Sequence, residues 1–292
     1  FFFEIKKIIY KNPQGSDILK VAFFCLTSAC ALYSRQALIF LPLSYLLFLV
    51  LNNSGKKIIF SSLFFFSILA IPGLLLFWIW GGIYDVNNIK GQQFFGDWFS
   101  YGYILRNIPI ILSFFGFYLL PILIIELFNF LIKNFINKYY KSFIIVFAFL
   151  IFLSFLGVLD YLGNYEISGG AVLKLNYIIQ KNNFLLLLVF SSIGFSILVR
   201  FLKEDFKNNI AVLLPVIVIY GFPASLYQEY VEPLILIIFF LGIKTELHKL
   251  FFKNITISNI IFLSYFSLYL IAAIYFKHFA FISYEEWKIF LN

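Results

Sequence analysis

"YSRQALIFLP", residues 33–42, interrupts a run that is otherwise apolar from Val21 to Leu51. An unpaired charge in hydrocarbon costs at least about 2.5 kcal/mol even on the most lenient scale, so the position of Arg35 decides how the run is divided. Inside one continuous helix the arginine is stranded in the bilayer. At a turn between two helices it sits at the membrane boundary. The composition makes this the governing question. The chain is 62% hydrophobic and 12% charged, with 42 Phe in 292 residues. Soluble domains run nearer about 45–50% apolar and about 25% charged, so an all-α, polytopic membrane protein is expected, as one integral-membrane domain over residues 1–292.

Stretches long enough to span, or nearly span, about 30 Å of hydrocarbon fall at 20–33, 37–51, 58–80, 107–131, 143–159, 184–201, 209–222, 233–248 and 256–276. They predict nine transmembrane helices, some of them short. Charge supplies an independent check. With residues 1–20 facing the cytoplasm, strict alternation puts 52–57, 132–142, 202–208 and 249–255 on the same side. Those regions and the adjoining helix ends hold fifteen of the 22 basic residues, and the opposite side holds Arg35, Lys90, Arg106, Lys174, Lys181, Lys277 and Lys288. The bias follows the positive-inside rule through every turn. It divides the first apolar run into an outgoing and a returning helix, with Arg35 at the outer turn between them.

The net charge of +8 therefore reflects membrane topology, and no nucleic-acid partner is expected. Cys25 and Cys30 share an apolar segment, where small core residues are expected in place of a disulfide or metal site. The chain has no methionine and begins with Phe, which points to a start further upstream, with a helix and a first outer loop preceding Phe1.

Inner connections are short and lysine-rich, such as "NNSGKK" and "KNFINKYYK". Outer connections are longer and carry Gly, Tyr, Trp and acids, so chemistry is expected at the outer face. Arg35, Asp97, Arg106, Asp160, Glu166, Glu229 and Glu232 all map there. Each has two readings. Arg35 is either a snorkelling anchor or a planar fork for a phosphate or carboxylate, and Gln36 beside it offers an amide to a sugar hydroxyl. Asp97, flanked by Trp98, Tyr101 and Tyr103, belongs either to an interfacial aromatic belt or to a sugar platform. Glu229 and Glu232 precede Pro233 and fit helix capping as well as ligand contact. Glu126, the one acid well inside a predicted span, is a functional candidate by position, with a structural contact as the alternative. His248 and His278 lack metal-ligand partners at useful spacing, and nucleotide-binding, zinc-protease and Ser-His-Asp signatures are missing.

Three stretches taken in order, "SRQALIF" (Arg35, Gln36, Ile39), "FGDWFSYGYILRNIPIILSFFGF" (Gly96, Asp97, Pro109) and "YVEPLIL" (Glu232, Pro233), resemble one family. It is the alpha-1,2-glucosyltransferase family that adds the last glucose to the lipid-linked oligosaccharide of asparagine-linked glycosylation. That family has Arg-Gln-Thr-Asn, Gly-Asp and Glu-Pro-Arg-Tyr stretches in this order. Here Ala37 and Leu38 replace Thr and Asn, the His after Gly-Asp is missing, and Leu234 replaces the Arg after Glu-Pro. The resemblance implies a C-type glycosyltransferase fold and transfer of a hexose, glucose in the family, from a polyprenyl-phosphate donor to a glycan or lipid-linked acceptor. Transfer would occur at the outer or lumenal face of a bacterial plasma membrane or endoplasmic reticulum membrane, with inversion and without cofactor or metal. The partners so implied are membrane lipid, donor and acceptor. Arg35, Gln36, Asp97, Arg106, Glu229 and Glu232 become substrate-binding candidates, and the general base is expected upstream of Phe1. A transporter or lipid-linked-glycan flippase is the alternative. It calls for a polar path at mid-membrane depth and repeat symmetry, neither of which the sequence displays. An O-antigen polymerase or ligase is a third reading and typically uses several outer-face arginines, of which only Arg35 and Arg106 are at hand.

Overall fold

The computed structural model describes residues 15–34, 36–80, 101–129, 132–155, 185–221 and 228–278, and every regular element among them is helical. In chain order these are α1 (Gly15–Ser34), a 3-10 turn (Gln36–Ile39), α2 (Phe40–Leu51), α3 (Lys56–Trp80), α4 (Tyr101–Asn129), α5 (Ile132–Phe155) and α6 (Leu185–Glu204). They continue with α7 (Phe206–Gly221), α8 (Gln228–Ile237), a π turn (Ile238–Gly242), α9 (Glu246–Lys253) and α10 (Ile255–His278). Among the described residues, four segments are long and apolar enough to cross a membrane: Lys56–Leu75, Asn107–Phe128, Leu185–Glu204 and Ile255–Tyr275, with mean hydropathies of 2.3, 2.5, 2.3 and 1.9. The protein is membrane-embedded.

The expected apolar stretches fall on α1 to α7 and on α10. The stretch at 233–248 is not one helix. It passes from α8 into the π turn, breaks, and restarts at α9, where Thr245 Oγ1 accepts a hydrogen bond from the Leu247 N–H at 3.2 Å. That side-chain cap satisfies one of the donors that every helix start leaves open. α9 buries Leu247 and Phe251 and exposes Glu246, Lys249 and Lys253, the two-faced pattern of a helix lying along a boundary.

The helices form two compact units, α1–α3 with α7, and α4–α6 with α8–α10. In the first, Val21, Phe24 and Cys25 of α1 pack with Tyr45, Phe48 and Leu49 of α2, Ile58 of α3 and Ala211 of α7. The Phe24 and Tyr45 rings lie 4.4 Å apart. α2 ends in "NNSG". Asn52 caps the Phe48 carbonyl with its backbone N–H and its side-chain amide, at 3.1 and 2.9 Å. Asn53 takes φ = 50°, a left-handed conformation that asparagine tolerates better than most residues. The Asn52 amide also donates to Asn208 Oδ1 at 3.1 Å, while Asn208 donates to Asp205 Oδ2 at 2.6 Å, so the end of α2 is tied to the start of α7.

Pro72 lies inside α3. Next to it, the Tyr33 hydroxyl donates to the Leu69 carbonyl at 2.5 Å and accepts from the Gly73 N–H at 3.0 Å. A phenol from α1 has thus inserted between a donor and the acceptor four residues before it, one of the few causes of a kinked helix ladder. This pins the end of α1, two residues before Arg35, to the middle of α3.

The second unit is organised around α4. Of its apolar span, 83% is buried within the protein, against 6% for that of α10. α4 and α6 run parallel, as Ser191 Oγ to the Pro109 carbonyl (2.6 Å), Gly194 against Gly116, and Arg200 to Glu126 show in succession. α10 packs against α4 through Phe117, Tyr118, Tyr265, Phe266 and Tyr269. Pro121 has no N–H for the Phe117 carbonyl, and the Tyr265 hydroxyl donates to that carbonyl at 2.9 Å instead. In hydrocarbon such a freed carbonyl needs a partner from the protein itself.

At Gly116 and Gly194 the two backbones touch. A Cβ on Gly116 would stand 2.0 Å from the Phe190 carbonyl oxygen, and one on Gly194 would stand 1.9 Å from that of Leu112. Small residues allow this approach in membranes, where packing drives association. Gly194→Ala is expected to force the helices apart, at more than the about 1–3 kcal/mol of ordinary overpacking. Gly55→Ala, with nothing within 4 Å, stays within about 0.5 kcal/mol of the parent. Thermal unfolding in detergent distinguishes the two.

Candidate functional site

Arg35, Asp97, Asp160 and Glu166 lie outside the described residues. Gln36 opens the 3-10 turn, Arg106 falls in the second turn of α4, and Glu229 and Glu232 fall in the first turns of α8. Only their backbone positions are described. Within the second unit, α8 leads into Phe239, which packs against Phe201 near the C-terminal end of α6. Arg106 thus lies toward the N-terminal end of α4, away from the end of α6 that Phe201 marks.

The described polar centre is at the other end. Glu126 is 1% exposed, Arg200 5% and Tyr139 7%. Because α4 and α6 are parallel, the last turns of both reach the same level, and α5 starts there. The Tyr139 hydroxyl donates to Glu126 Oε2 at 2.5 Å and accepts from Arg200 Nη1, which also meets Oε2. Arg200 Nε donates to Glu204 Oε1 at 2.8 Å, one turn along the same helix. Glu204 Oε2 accepts from the Glu246 N–H at 2.8 Å and so holds the start of α9. The guanidinium carbon stands 5.5 Å from the Tyr139 ring centre, within the range of a cation–π contact. Arg200 Nη2 is buried without a hydrogen-bond partner among the described residues.

Sequence reasoning flagged Glu126 and left Arg200 among the basic residues of a helix flank. Taking a charge out of water costs several kcal/mol, offset only by close opposite charge and further hydrogen bonds. Here one cation lies between two carboxylates, with a phenol beside it. Glu126 is thereby committed to a closed network that joins α4, α5, α6 and α9. The structural reading of this acid is the one the geometry supports.

His248 of α9 meets the Phe239 ring edge-on, lies roughly parallel to that of Phe240, and places Nε2 2.5 Å from the Phe239 carbonyl of the π turn. A carbonyl only accepts, so Nε2 carries the proton and donates. Burial holds this imidazole below its ordinary value of 6.5, against the opposing pull of the carbonyl and of Glu204. Among the described residues no group of three His, Cys, Asp or Glu side chains is placed to hold a metal ion. Cys25 is buried in the first unit's core and Cys30 is exposed. No family model, curated protein or solved structure matches this chain.

Glu126→Leu leaves Arg200 buried and short of a partner, with an expected loss of about 3–5 kcal/mol. Adding Arg200→Met recovers part of that loss, and melting curves of the single and double variants read the difference. For His248, the folded state favours the neutral ring, so the unfolded state binds more protons as pH falls. Its contribution is complete above 6.5 and is lost as pH falls through the lowered value. Melting temperature is expected to drop on acidification across that window, with a shallower drop in His248→Gln.

Proposed function

We propose that the chain is a multi-pass, integral-membrane glycosyltransferase of the C-type fold that crosses the membrane nine times. It moves a hexose, glucose in the family it resembles, from a polyprenyl-phosphate carrier to a glycan or lipid-linked acceptor at the outer or lumenal face. The observation that carries this reading is the order and placement of its three motif stretches. In "SRQALIF" Ser34 ends α1 and Phe40 opens α2, the second stretch lies in α4 from Tyr101 onward, and "YVEPLIL" lies in α8 from its third residue. Glu126 also favours transfer over transport, since this carboxylate, which a polar path would use, is held by Arg200 and Tyr139.

In this reading Arg35 or Arg106 faces the carrier phosphate. The leaving group stays anionic as the glycosidic bond breaks, and a fixed cation beside it stabilises the transition state more than the ground state. Asp97, Glu229 and Glu232 accept hydrogen bonds from sugar hydroxyls, with Gln36 as an amide partner. The general base is not assigned to any residue of residues 1–292. The sugar inverts, from a beta-linked donor to an alpha product.

The test is transfer of labelled hexose from polyprenyl-phosphate donors in membranes carrying the full-length protein. Donor-dependent transfer is expected. Arg35→Ala is expected to lower it by about 100-fold, the usual effect of removing one oxyanion-stabilising group, with membrane insertion unchanged. Absence of transfer with every hexose overturns the reading.

A further inference from the structure

α4, α5 and α6 enclose a pocket of about 370 Å³, within the range of about 300–1,000 Å³ typical of ligand sites. Its floor is Leu123, Tyr139 and Ser196, all buried. Its mouth is marked by Leu127 and Tyr140, which are 36% and 40% exposed. The polar atoms of the floor are engaged elsewhere. The Ser196 hydroxyl donates to the Ser192 carbonyl at 2.8 Å, and the Tyr139 hydroxyl belongs to the Glu126–Arg200 network. The wall therefore offers an occupant hydrocarbon contact and little else. Two of its three helices carry membrane spans, Asn107–Phe128 and Leu185–Glu204, so what lies outside the mouth is lipid.

Charge at one edge of the pocket narrows the occupant further. Tyr140 at the mouth is followed by Lys141, which is exposed. On α6 the row Ser196, Arg200, Lys203 advances by four and then three residues along one helical face, from the pocket floor through the ion pair to another exposed lysine. The same end of the unit exposes Lys244, Lys249 and Lys253 against the single exposed acid Glu246 among the described residues. Glu204 is taken up by Arg200 and the start of α9. A tyrosine at the mouth and exposed lysines on the same helices match the headgroup level of a bilayer. The lysine-rich side of a membrane protein faces the cytoplasmic leaflet, which carries the anionic lipids.

We infer that this pocket holds one acyl chain of an anionic diacyl phospholipid, whose phosphate lies against Lys141 and Lys203. The lipid fills the cleft between α5 and the α4–α6 pair and covers the approach to the buried ion pair. The inference does not rest on the transferase reading, and its test reads binding, not transfer.

Delipidated full-length protein in neutral detergent is titrated with dioleoyl phosphatidylglycerol or dioleoyl phosphatidylcholine, with bound lipid read by native mass spectrometry. Phosphatidylglycerol is expected to bind about tenfold more tightly, in line with the contribution of a lysine or two near an anionic surface. The double variant Lys141→Gln, Lys203→Gln, which changes only exposed side chains, removes the preference. Leu127→Trp, at the rim, fills the mouth and lowers retention of both lipids. Dihexanoyl phosphatidylglycerol, with the same headgroup and short chains, fails to displace the dioleoyl lipid. Equal retention of the two dioleoyl lipids by the parent protein overturns the inference. So does undiminished retention by folded Leu127→Trp, or competition by the dihexanoyl lipid at equal strength.

Discussion

Gly116 and Gly194 let α4 and α6 meet backbone to backbone, with no room for a side chain on either, and the second unit is built outward from that contact. A close parallel crossing fixes how far one helix is advanced against the other. With that register set, Glu126 and Arg200 arrive at the same depth, and Tyr139 can reach both from the start of α5. A slide of one turn, about 5.4 Å, parts the pair and leaves two buried charges without each other. The glycines supply geometry, and the ion pair holds that geometry at one end. α10, by contrast, buries only 6% of its apolar span within the protein.

Hydrocarbon imposes a second constraint, because polar groups in it must find partners within the protein. Prolines inside α3 and α4 break the regular ladder of those helices. The Tyr265 hydroxyl meets the Phe117 carbonyl that Pro121 frees, Tyr33 meets that of Leu69 beside Pro72, and Ser191 meets that of Pro109 itself. Each of these hydroxyls also joins two helices, so the exceptions to the helical pattern become cross-links between elements. The Glu126–Arg200–Glu204 chain works in the same way with charges, and extends the linkage to the backbone of α9.

Much of the helical layout was legible from apolar runs and lysine placement. α1 ends at Ser34 and the next helical turn begins at Gln36, so the first apolar run is divided into two helices as the charge bias indicated. The break inside 233–248 was hidden because hydropathy registers apolar residues and not the backbone path. "LILIIFFLG" scores as a span whether or not it unwinds into a π turn, and the decisive signal, Thr245 as a cap, is a single residue. Glu126 stood out as a lone acid, but its partner did not. Arg200 lies 74 residues away and resembles any cation at a helix end until the parallel pairing of α4 and α6 is known. Tyr139 was one of two adjacent tyrosines in a basic turn, with nothing local to separate the buried ring from the exposed one.

Tyr33 shows what a single oxygen atom means in such a sequence. The chain has 42 Phe and 19 Tyr, and where a ring merely fills space in lipid the two serve almost equally. Tyr33 is not in that class. Its hydroxyl stands in for a missing rung of α3, so two helices share one ladder and neither can flex at that level without the other. The aromatic alphabet of this protein thus carries two messages. Phenylalanine says that a surface is greasy, whereas a tyrosine such as Tyr33 names the helix to which it is stitched.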